Sequence, residues 1–252
     1  MPHSLTTVGE SFLEEYVPEA RETGVPVHIH ANETREEIDP ILQEYGKRPL
    51  AYARDRGLLA GGDFLAHGVH LDDSEIALLA ETSTGVVHCP ASNMKLASGM
   101  APVQRLLDAG VPVGLGTDGA ASNNDLDLFG EMRDAAMLGK LAADDANAVA
   151  APDVVRMATE WGADVVGLPV GRVEAGGVAD LAVVDFEAPH LTPVHDHVSH
   201  LVYAARASDV RHTVCDGNVL VREGAVTTLD EARVRRAAAE HAAAAVERAT
   251  GG

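Results

Sequence analysis

The chain contains few of the features that mark secreted or membrane proteins. Its 252 residues include only two cysteines, Cys89 and Cys215, too few for a disulfide framework or a paired-cysteine zinc site. No run of about 18 apolar residues predicts a membrane-spanning helix, and no signal-peptide pattern occurs at the N-terminus. Because 46% of the residues are hydrophobic, the chain can bury a substantial core. We therefore expect a folded cytoplasmic protein without a membrane partner.

Positive charge is also scarce. The chain has 19 basic residues against 39 acidic ones, for a net charge of −20, and only three are lysines: Lys47, Lys95 and Lys140. An acidic surface stays soluble at the cost of self-repulsion, a balance found in halophilic proteins. High salt screens that repulsion, with a Debye length of about 3 Å at 1 M. The composition predicts a salt-loving source and excludes nucleic acid as a partner, because phosphates would be repelled.

Short apolar segments alternate with helical patterns over the first two thirds of the chain. Strands are predicted at residues 25–31, 63–68, 86–90 and 111–115. Helices are predicted at about 36–59, 74–82, 101–109, 124–140 and 153–161. This alternation is typical of a parallel sheet. The later segments 179–186, 210–215 and 219–222 predict strands of a smaller β-domain with a hairpin turn at 216–218, and 229–250 predicts a helix rich in alanine.

Residues that can bind metals follow the predicted strands. His30 ends the first strand and Glu33 lies in the turn after it, His67 ends the second strand, and Asp118 follows the fourth. Parallel strands end at one edge of a sheet, where α/β proteins place their chemistry. Zinc and iron suit histidine and carboxylate ligands, so the pattern predicts a mononuclear hydrolytic site. We interpret His28, on the same strand face as His30, as a structural histidine.

Four ordered motifs carry a family resemblance. They are HANET (residues 30–34), AHGVHL (66–71), HCPASNMKLASG (88–99) and GTDGAASN (116–123). Together they resemble the amidohydrolase superfamily, and most closely its methylthioadenosine/S-adenosylhomocysteine deaminase branch, which includes related chlorohydrolases. The opening PHSLTT (2–7) is similar to the segment after the fourth barrel strand of that family, and GRVEAGGVADLAVVD (171–185) is similar to its return into a small β-domain.

The resemblance implies a role for each matching residue. His30 resembles the metal ligand on the fifth barrel strand, and Asp118 resembles the eighth-strand ligand, which also takes a proton from the attacking water. His67 resembles the histidine that holds this water or the developing charge. Glu33 resembles the carboxylate that protonates a ring nitrogen of the substrate, and His3 resembles a substrate-contacting histidine. The implied cofactor is one divalent ion, zinc or alternatively iron.

We assign smaller roles to five further polar residues. We interpret His70 as pocket wall or as a support for the site. Asn93 and Lys95 are expected to shape the loop after the third predicted strand rather than to react. His195 and His197 flank Asp196 in an HDH sequence that imitates a metal motif, and we interpret them as an exposed loop pair.

One sequence feature of the resembled family has no counterpart in this sequence. A closed (β/α)8 barrel takes about 250 residues, and the family binds its metal with a His-x-His pair on the first barrel strand. No such pair precedes His3. The chain therefore resembles the C-terminal half of a TIM-like metal-dependent hydrolase barrel, roughly strands four to eight (residues 1–165), plus part of a small β-sandwich domain (166–228) and a C-terminal helix (229–252). A misplaced start explains this, or else a half-protein that pairs with another chain.

The function expected from the resemblance is hydrolytic deamination of an adenosine-type substrate, with release of ammonia. The substrates would be methylthioadenosine, S-adenosylhomocysteine or a similar aminated ring. One alternative is a chlorohydrolase or another cyclic-amidine hydrolase. The other is a non-catalytic remnant or a subunit that needs a partner chain. The expected partners are a small-molecule substrate and water, with a homo-oligomer or an N-terminal half as further possibilities.

Overall fold

A computed structural model describes residues 3–251, so Pro2 of the opening motif lies outside the described residues. These residues form two compact units. The first runs up to Gly177 and includes Pro189–Ala207. The second comprises Val178–Ala188 and the described residues from Ser208 onward. Each unit contains one four-stranded sheet.

The first unit is built on a parallel sheet. Its strands, in spatial order, are β1 (His28–Ala31), β2 (Phe64–His67), β3 (Gly85–His88) and β4 (Val113–Leu115). All four predicted strands are present, each shorter than predicted. Ser4 also forms an isolated parallel bridge with His30 on the outer side of β1. Since all four strands run in one direction, their carboxyl ends lie at the same edge of the sheet.

The register of the sheet explains which face is buried. Ile29, Leu65, Val86 and Val113 are paired across the four strands, and all four are at most 3% exposed. Because strand side chains alternate between faces, this row faces the helices of the core. His30 lies on the opposite face of β1, in register with Ala66.

Helices connect the strands and cover the core. They are α1 (Glu10–Thr23), α2 (Ile38–Tyr45), α3 (Pro49–Asp55), α4 (Asp73–Thr82), α5 (Pro90–Lys95), α6 (Val103–Asp108), α7 (Ala120–Asn123), α8 (Leu128–Ala143), α9 (Ala151–Ala158), α10 (Glu160–Val166) and α11 (His197–Tyr203). A 3-10 turn, Arg35–Glu37, precedes α2.

Three long helices predicted from the sequence are wrong in extent. The segment 36–59 is interrupted because Gly46 adopts a left-handed conformation (φ 65°) and Pro49 starts a new helix. The segment 124–140 begins only at Leu128, since Asn124 has a φ of 91°. The segment 153–161 is divided at Thr159, which has non-helical backbone angles.

The second unit contains an antiparallel sheet and a long helix. The strands are β5 (Leu181–Val184), β6 (Val210–Cys215), β7 (Asn218–Arg222) and β8 (Ala225–Val226), in that order. The predicted hairpin is confirmed, with Cys215 paired to Asn218 across the turn. The predicted terminal helix is α12 (Glu231–Thr250). This unit has a single sheet among its described residues.

Asp63 stabilises the beginning of β2. Its buried carboxylate accepts hydrogen bonds from Arg21 at 2.9 and 2.5 Å, from the Val27 amide at 2.7 Å and from the Ala60 amide at 2.9 Å. Asp63→Ala should lower the free energy of unfolding by about 3 kcal/mol, because it leaves the Val27 and Ala60 amides without an acceptor and removes the carboxylate that pairs with Arg21. Urea unfolding at high salt measures the loss.

The matched control is Asp55→Ala, which breaks an exposed ion pair with Lys47. Surface pairs contribute little and are screened by salt, so this variant should unfold at nearly the same urea concentration as the parent. Equal losses for the two variants would contradict the role assigned to Asp63.

Among residues 3–251, none of the helices combines the length and the apolar character that a bilayer crossing requires.

Candidate metal centre

β1 places His30 at the edge of the parallel sheet. Its Nδ1 donates a hydrogen bond to the carbonyl oxygen of His3 at 2.8 Å, and the two imidazole rings stack with centroids 4.5 Å apart. Because Nδ1 carries the proton in this contact, Nε2 keeps its lone pair. This is the arrangement in which a histidine binds a metal ion through Nε2.

His67 ends β2 with a left-handed backbone (φ 75°). That conformation is uncommon for a residue other than glycine. It changes the direction of the side chain, which therefore does not follow the alternating pattern of the strand. The ring is buried, and its Nδ1 donates to Asn93 Oδ1 at 2.9 Å. Its Nε2 has no hydrogen-bond partner within the described part of the chain. An imidazole nitrogen without a hydrogen-bond partner is available to bind a metal ion.

Asp118 follows β4 and also has a left-handed backbone (φ 60°). Its Oδ2 accepts hydrogen bonds from the hydroxyls of Ser122 at 2.5 Å and Ser92 at 2.8 Å. Partial burial acts to raise the pKa of Asp118, but these two hydroxyls, the Gly119 amide and the nearby His67 together hold it below its usual value. Asp118 is therefore ionised at neutral pH.

These three residues form one cluster. One ligand atom from each of His30, His67 and Asp118 lies within 4.8 Å of the other two, and His30 Nε2 is 3.9 Å from Asp118 Oδ1. It is the one such group of histidine, cysteine or carboxylate donors found among residues 3–251. Two imidazole nitrogens and one carboxylate fit zinc or iron, and the unpartnered Nε2 of His67 fits a ligand position.

Glu33 lies beside the cluster. Its Oε1 accepts a hydrogen bond from the Ser98 hydroxyl at 3.2 Å, and its Oε2 is 3.5 Å from His67 Nε2. The side chain is 16% exposed, so the carboxylate can meet both the cluster and a molecule bound next to it. A carboxylate in this position can exchange protons with such a molecule.

The remaining predicted residues lie around this centre. His3 is exposed and stacks on His30. His28 stacks on Phe64, and burial together with the rings of His30 and His67 lowers the pKa of His28 to about 4. His88, at the end of β3, is buried outside the cluster, and burial, with His67 nearby, lowers the pKa of His88 to about 3. His28 and His88 are therefore neutral at pH 7.

His70 lies away from the cluster. Its Nε2 bonds to the carbonyl oxygen of Ser98 at 2.8 Å, and the hydroxyl of Ser98 holds Glu33. His70 also lines a cavity of about 590 Å³ that includes Arg35 and Arg48 but none of the three cluster residues. Because none of the cluster residues lines this cavity, we assign the candidate metal site to the cluster and not to the cavity.

Two short helices beside the cluster, α5 and α7, make contacts that the sequence analysis missed. Ser92 and Ser122 hold Asp118, and Asn93, which was predicted only to shape a loop, orients His67. Lys95 donates to Ala121 O at 2.7 Å and Asn124 Oδ1 at 2.6 Å, which joins α5 to α7 and the residue after it. Ser92, Asn93 and Ser122 lie within the motifs HCPASN and GTDGAASN, but spacing alone does not reveal their hydrogen bonds. His195 and His197 are not part of the cluster, and the Asp196 carboxylate between them caps α11 by accepting from the Ser199 amide at 2.7 Å.

A serine substitution tests the hydrogen bonds to Asp118. Ser122→Ala should raise the pKa of Asp118 toward the usual value of about 3.9. A lowered pKa stabilises the fold above the unfolded-state value, and this contribution is lost as the pH falls through the folded value. The variant should therefore lose part of the stability that ionised Asp118 gives at neutral pH. A ¹³C NMR titration of the metal-free carboxyl group measures the shift.

The control is Ser74→Ala, which removes a serine–aspartate hydrogen bond at Asp72 instead. It should leave the pKa of Asp118 unchanged. An identical Asp118 titration in Ser122→Ala and in the parent would contradict the assignment.

Comparison with known proteins defines the class of this chain. The amidohydrolase family model matches residues 1–220. The chain therefore belongs to the amidohydrolase family. Similar proteins include the 5-methylthioadenosine/S-adenosylhomocysteine deaminase of Haloarcula marismortui, 68% identical over 98% of this chain. The protein of the same name from Pelotomaculum thermopropionicum is 45% identical over 98% of it. The chain spans about 57% of the length of each of these relatives.

Solved structures share the fold. An adenosine deaminase from Xanthomonas campestris with bound zinc matches 95% of this chain and 55% of its own length, with a TM-score of 0.93 and 39% identity. An atrazine chlorohydrolase from Arthrobacter aurescens complexed with zinc matches 93% of this chain and 52% of its own length, with a TM-score of 0.87 and 28% identity.

Proposed function

We propose that the native protein containing this chain is a metal-dependent hydrolytic deaminase. Its substrate is methylthioadenosine, S-adenosylhomocysteine or a similar aminated ring, and its product is ammonia. The observation that carries this proposal is the cluster of His30, His67 and Asp118 with the Glu33 carboxylate beside it. The names of relatives at 45–68% identity support the same reaction.

We also propose that the parallel sheet is part of a TIM-like barrel and that the second unit is part of a β-sandwich. Candidate ligands at the carboxyl ends of parallel strands support the barrel, because barrel enzymes place their active sites at that end. The TM-score of 0.93 to the adenosine deaminase structure supports it too. The domain boundaries after residues 165 and 228 belong to this proposal.

The proposed cofactor is one divalent ion, zinc, with His30 and Asp118 as ligands and His67 close enough to contribute a third nitrogen. When bound, such an ion acts as a Lewis acid and makes water more acidic. Bound zinc in the similar adenosine deaminase and atrazine chlorohydrolase structures supports the choice of metal.

The side chains divide the proton transfers between them. Asp118 is ionised at neutral pH and accepts a proton from the attacking water. Glu33 delivers a proton to a ring nitrogen of the substrate, so that the ring carbon accepts the nucleophile. The proton taken up by Asp118 then passes to the amine, which leaves as ammonia, while Glu33 recovers a proton from the new hydroxyl group. His67 holds the attacking water, which donates a hydrogen bond to the lone pair of its Nε2, and His3 contacts the substrate from the exposed side of His30.

Two other functions compete with deamination. Chlorohydrolysis is favoured by the likeness to the atrazine enzyme. Deamination is favoured by Glu33, because an acid that protonates the ring is needed when ammonia must leave. A non-catalytic remnant or dependent subunit is favoured by the coverage of about 57% of the relatives. Ammonia release from methylthioadenosine and chloride release from a chlorotriazine, each with and without zinc, separate these functions. No turnover of either substrate by the zinc-loaded native protein would favour the remnant.

We further propose a halophilic source, which the net charge of −20 and relatives from Haloarcula, Natronomonas and Halobacterium support. The free energy of unfolding should therefore rise between 0.1 and about 2 M KCl, as the Debye length falls from about 10 Å to less than 3 Å. Thermal unfolding across this range measures the effect. A melting temperature that falls with added salt would contradict the proposal.

A further inference from the structure

A buried glutamate on α8 lies behind the candidate metal centre. Glu131 is 1% exposed. One carboxylate oxygen, Oε2, accepts a hydrogen bond from the amide of Ala91 at 3.1 Å, and the other, Oε1, accepts from Asn123 Nδ2 at 2.5 Å. None of the proposed proton transfers uses this carboxylate. Burying it is costly unless its oxygens are satisfied, so the two bonds account for its place in the fold.

The two bonds hold the two short helices, α5 and α7, whose residues orient the cluster. Ala91 is followed by Ser92 and Asn93. Ser92 donates a hydrogen bond to Asp118, and Asn93 accepts one from His67. Asn123 directly follows Ser122, the other donor to Asp118. Glu131 therefore connects the segments that supply three hydrogen bonds to two cluster residues. The supported residues have left-handed backbones, which persist only where the surroundings fix them.

The chemistry of the two contacts requires a carboxylate. Both partners, an amide N–H and an amide NH₂, are donors, so residue 131 must offer two acceptor atoms. Glutamine has the same shape but offers one acceptor and one NH₂ group. In one of the two contacts, the NH₂ group of glutamine would therefore face another hydrogen-bond donor, and that hydrogen bond would be lost. Burial raises the pKa of Glu131, and the hydrogen bonds from Ala91 and Asn123 oppose that rise.

We propose that Glu131 is a positioning residue, which fixes the directions of Asp118 and His67 by holding residues 91–93 and 122–123 in place. The proposal rests on the metal centre put forward above, but the orientation of His67 can be measured without a metal. In the parent protein His67 keeps its proton on Nδ1, facing Asn93, and presents a bare Nε2 to the cluster.

Glu131→Gln tests the proposal in the full chain at high salt. The first readout is the tautomer of His67, measured by ¹⁵N NMR of the imidazole nitrogens in metal-free protein. We expect a shift from the Nδ1–H form toward a mixture with the Nε2–H form. The second readout is zinc affinity by calorimetry. Loss of an outer partner of a metal ligand weakens binding by about 10–100-fold, and we expect at least about tenfold.

The matched control is Asp134→Asn, which makes the same change from carboxylate to amide one turn later on α8, at a partly buried residue. It should leave the His67 tautomer and zinc affinity unchanged. If Glu131→Gln does not fold, Asn123→Ala removes one of the two contacts from a half-buried position, and we expect the same changes at smaller amplitude.

The outcomes separate the two proposals. An unchanged His67 tautomer in the folded variant, or unchanged zinc affinity with only a loss of thermal stability, would overturn the positioning role. If the parent chain binds no zinc, the metal centre proposed for this chain fails, and the NMR readout alone decides the role of Glu131.

Discussion

Asp118→Ala is expected to lower the zinc affinity of the chain by more than the roughly 10–100-fold that loss of an outer-sphere partner costs. Asp118 provides the one carboxylate of the cluster and the negative charge that offsets part of the charge of a divalent ion. Its lowered pKa means that at neutral pH no proton has to be removed before the metal binds. Isothermal calorimetry with zinc at high salt measures the loss.

The control for this variant is Asp125→Ala, an exposed aspartate seven positions further along the same segment. It removes the same charge, so it corrects for the general attraction of an acidic protein for cations. We expect parental zinc affinity from Asp125→Ala. Equal affinities for Asp118→Ala and Asp125→Ala would show that zinc binds elsewhere on the acidic surface.

Glu33→Gln is expected to lower the rate of ammonia release by the native protein by about 10²–10⁴-fold, the usual contribution of a general acid or base. Glutamine keeps the size of the side chain and can still accept from Ser98, but it cannot deliver a proton to the ring. Zinc affinity should remain near that of the parent, because Glu33 is not a member of the ligand cluster. Steady-state kinetics with methylthioadenosine, paired with calorimetry, separate the two effects.

The control is Glu36→Gln, an exposed glutamate in the adjacent turn. It should leave both the rate and the zinc affinity unchanged. If Glu33→Gln lost zinc and activity in parallel, Glu33 would be a ligand rather than a proton carrier. If it kept full activity, the assigned proton transfer would be wrong.

The positions of the candidate site residues could be predicted because they follow from periodicity. Alternation along β1 places His28 and His30 on one face, and parallel strands bring His30, His67 and Asp118 to one edge. Matched family motifs then suggested the separate role of Glu33. The structure places these four residues close to one another.

The orientation of the side chains could not be predicted in the same way. Alternation would direct His67 toward the face of Leu65, but its left-handed backbone turns it to the cluster. The hydrogen bonds from Ser92 and Ser122 and to Asn93 depend on how α5 and α7 are placed, and on the contacts of Glu131 with both helices, which strand periodicity does not reveal. The helix boundaries were wrong where Gly46 and Pro49 interrupt a continuous apolar pattern, a signal that was present in the sequence.

The most direct test of the central claim is ammonia release from methylthioadenosine by the native protein, purified at high salt from its source, with zinc removed and then restored. We expect no release from the metal-free protein and recovery when one equivalent of zinc is added. The intact mass of the same sample, compared with the 26.4 kDa of this chain, identifies the active species. A native protein that binds one zinc ion per chain and releases no ammonia from methylthioadenosine, S-adenosylhomocysteine or adenosine would contradict the claim.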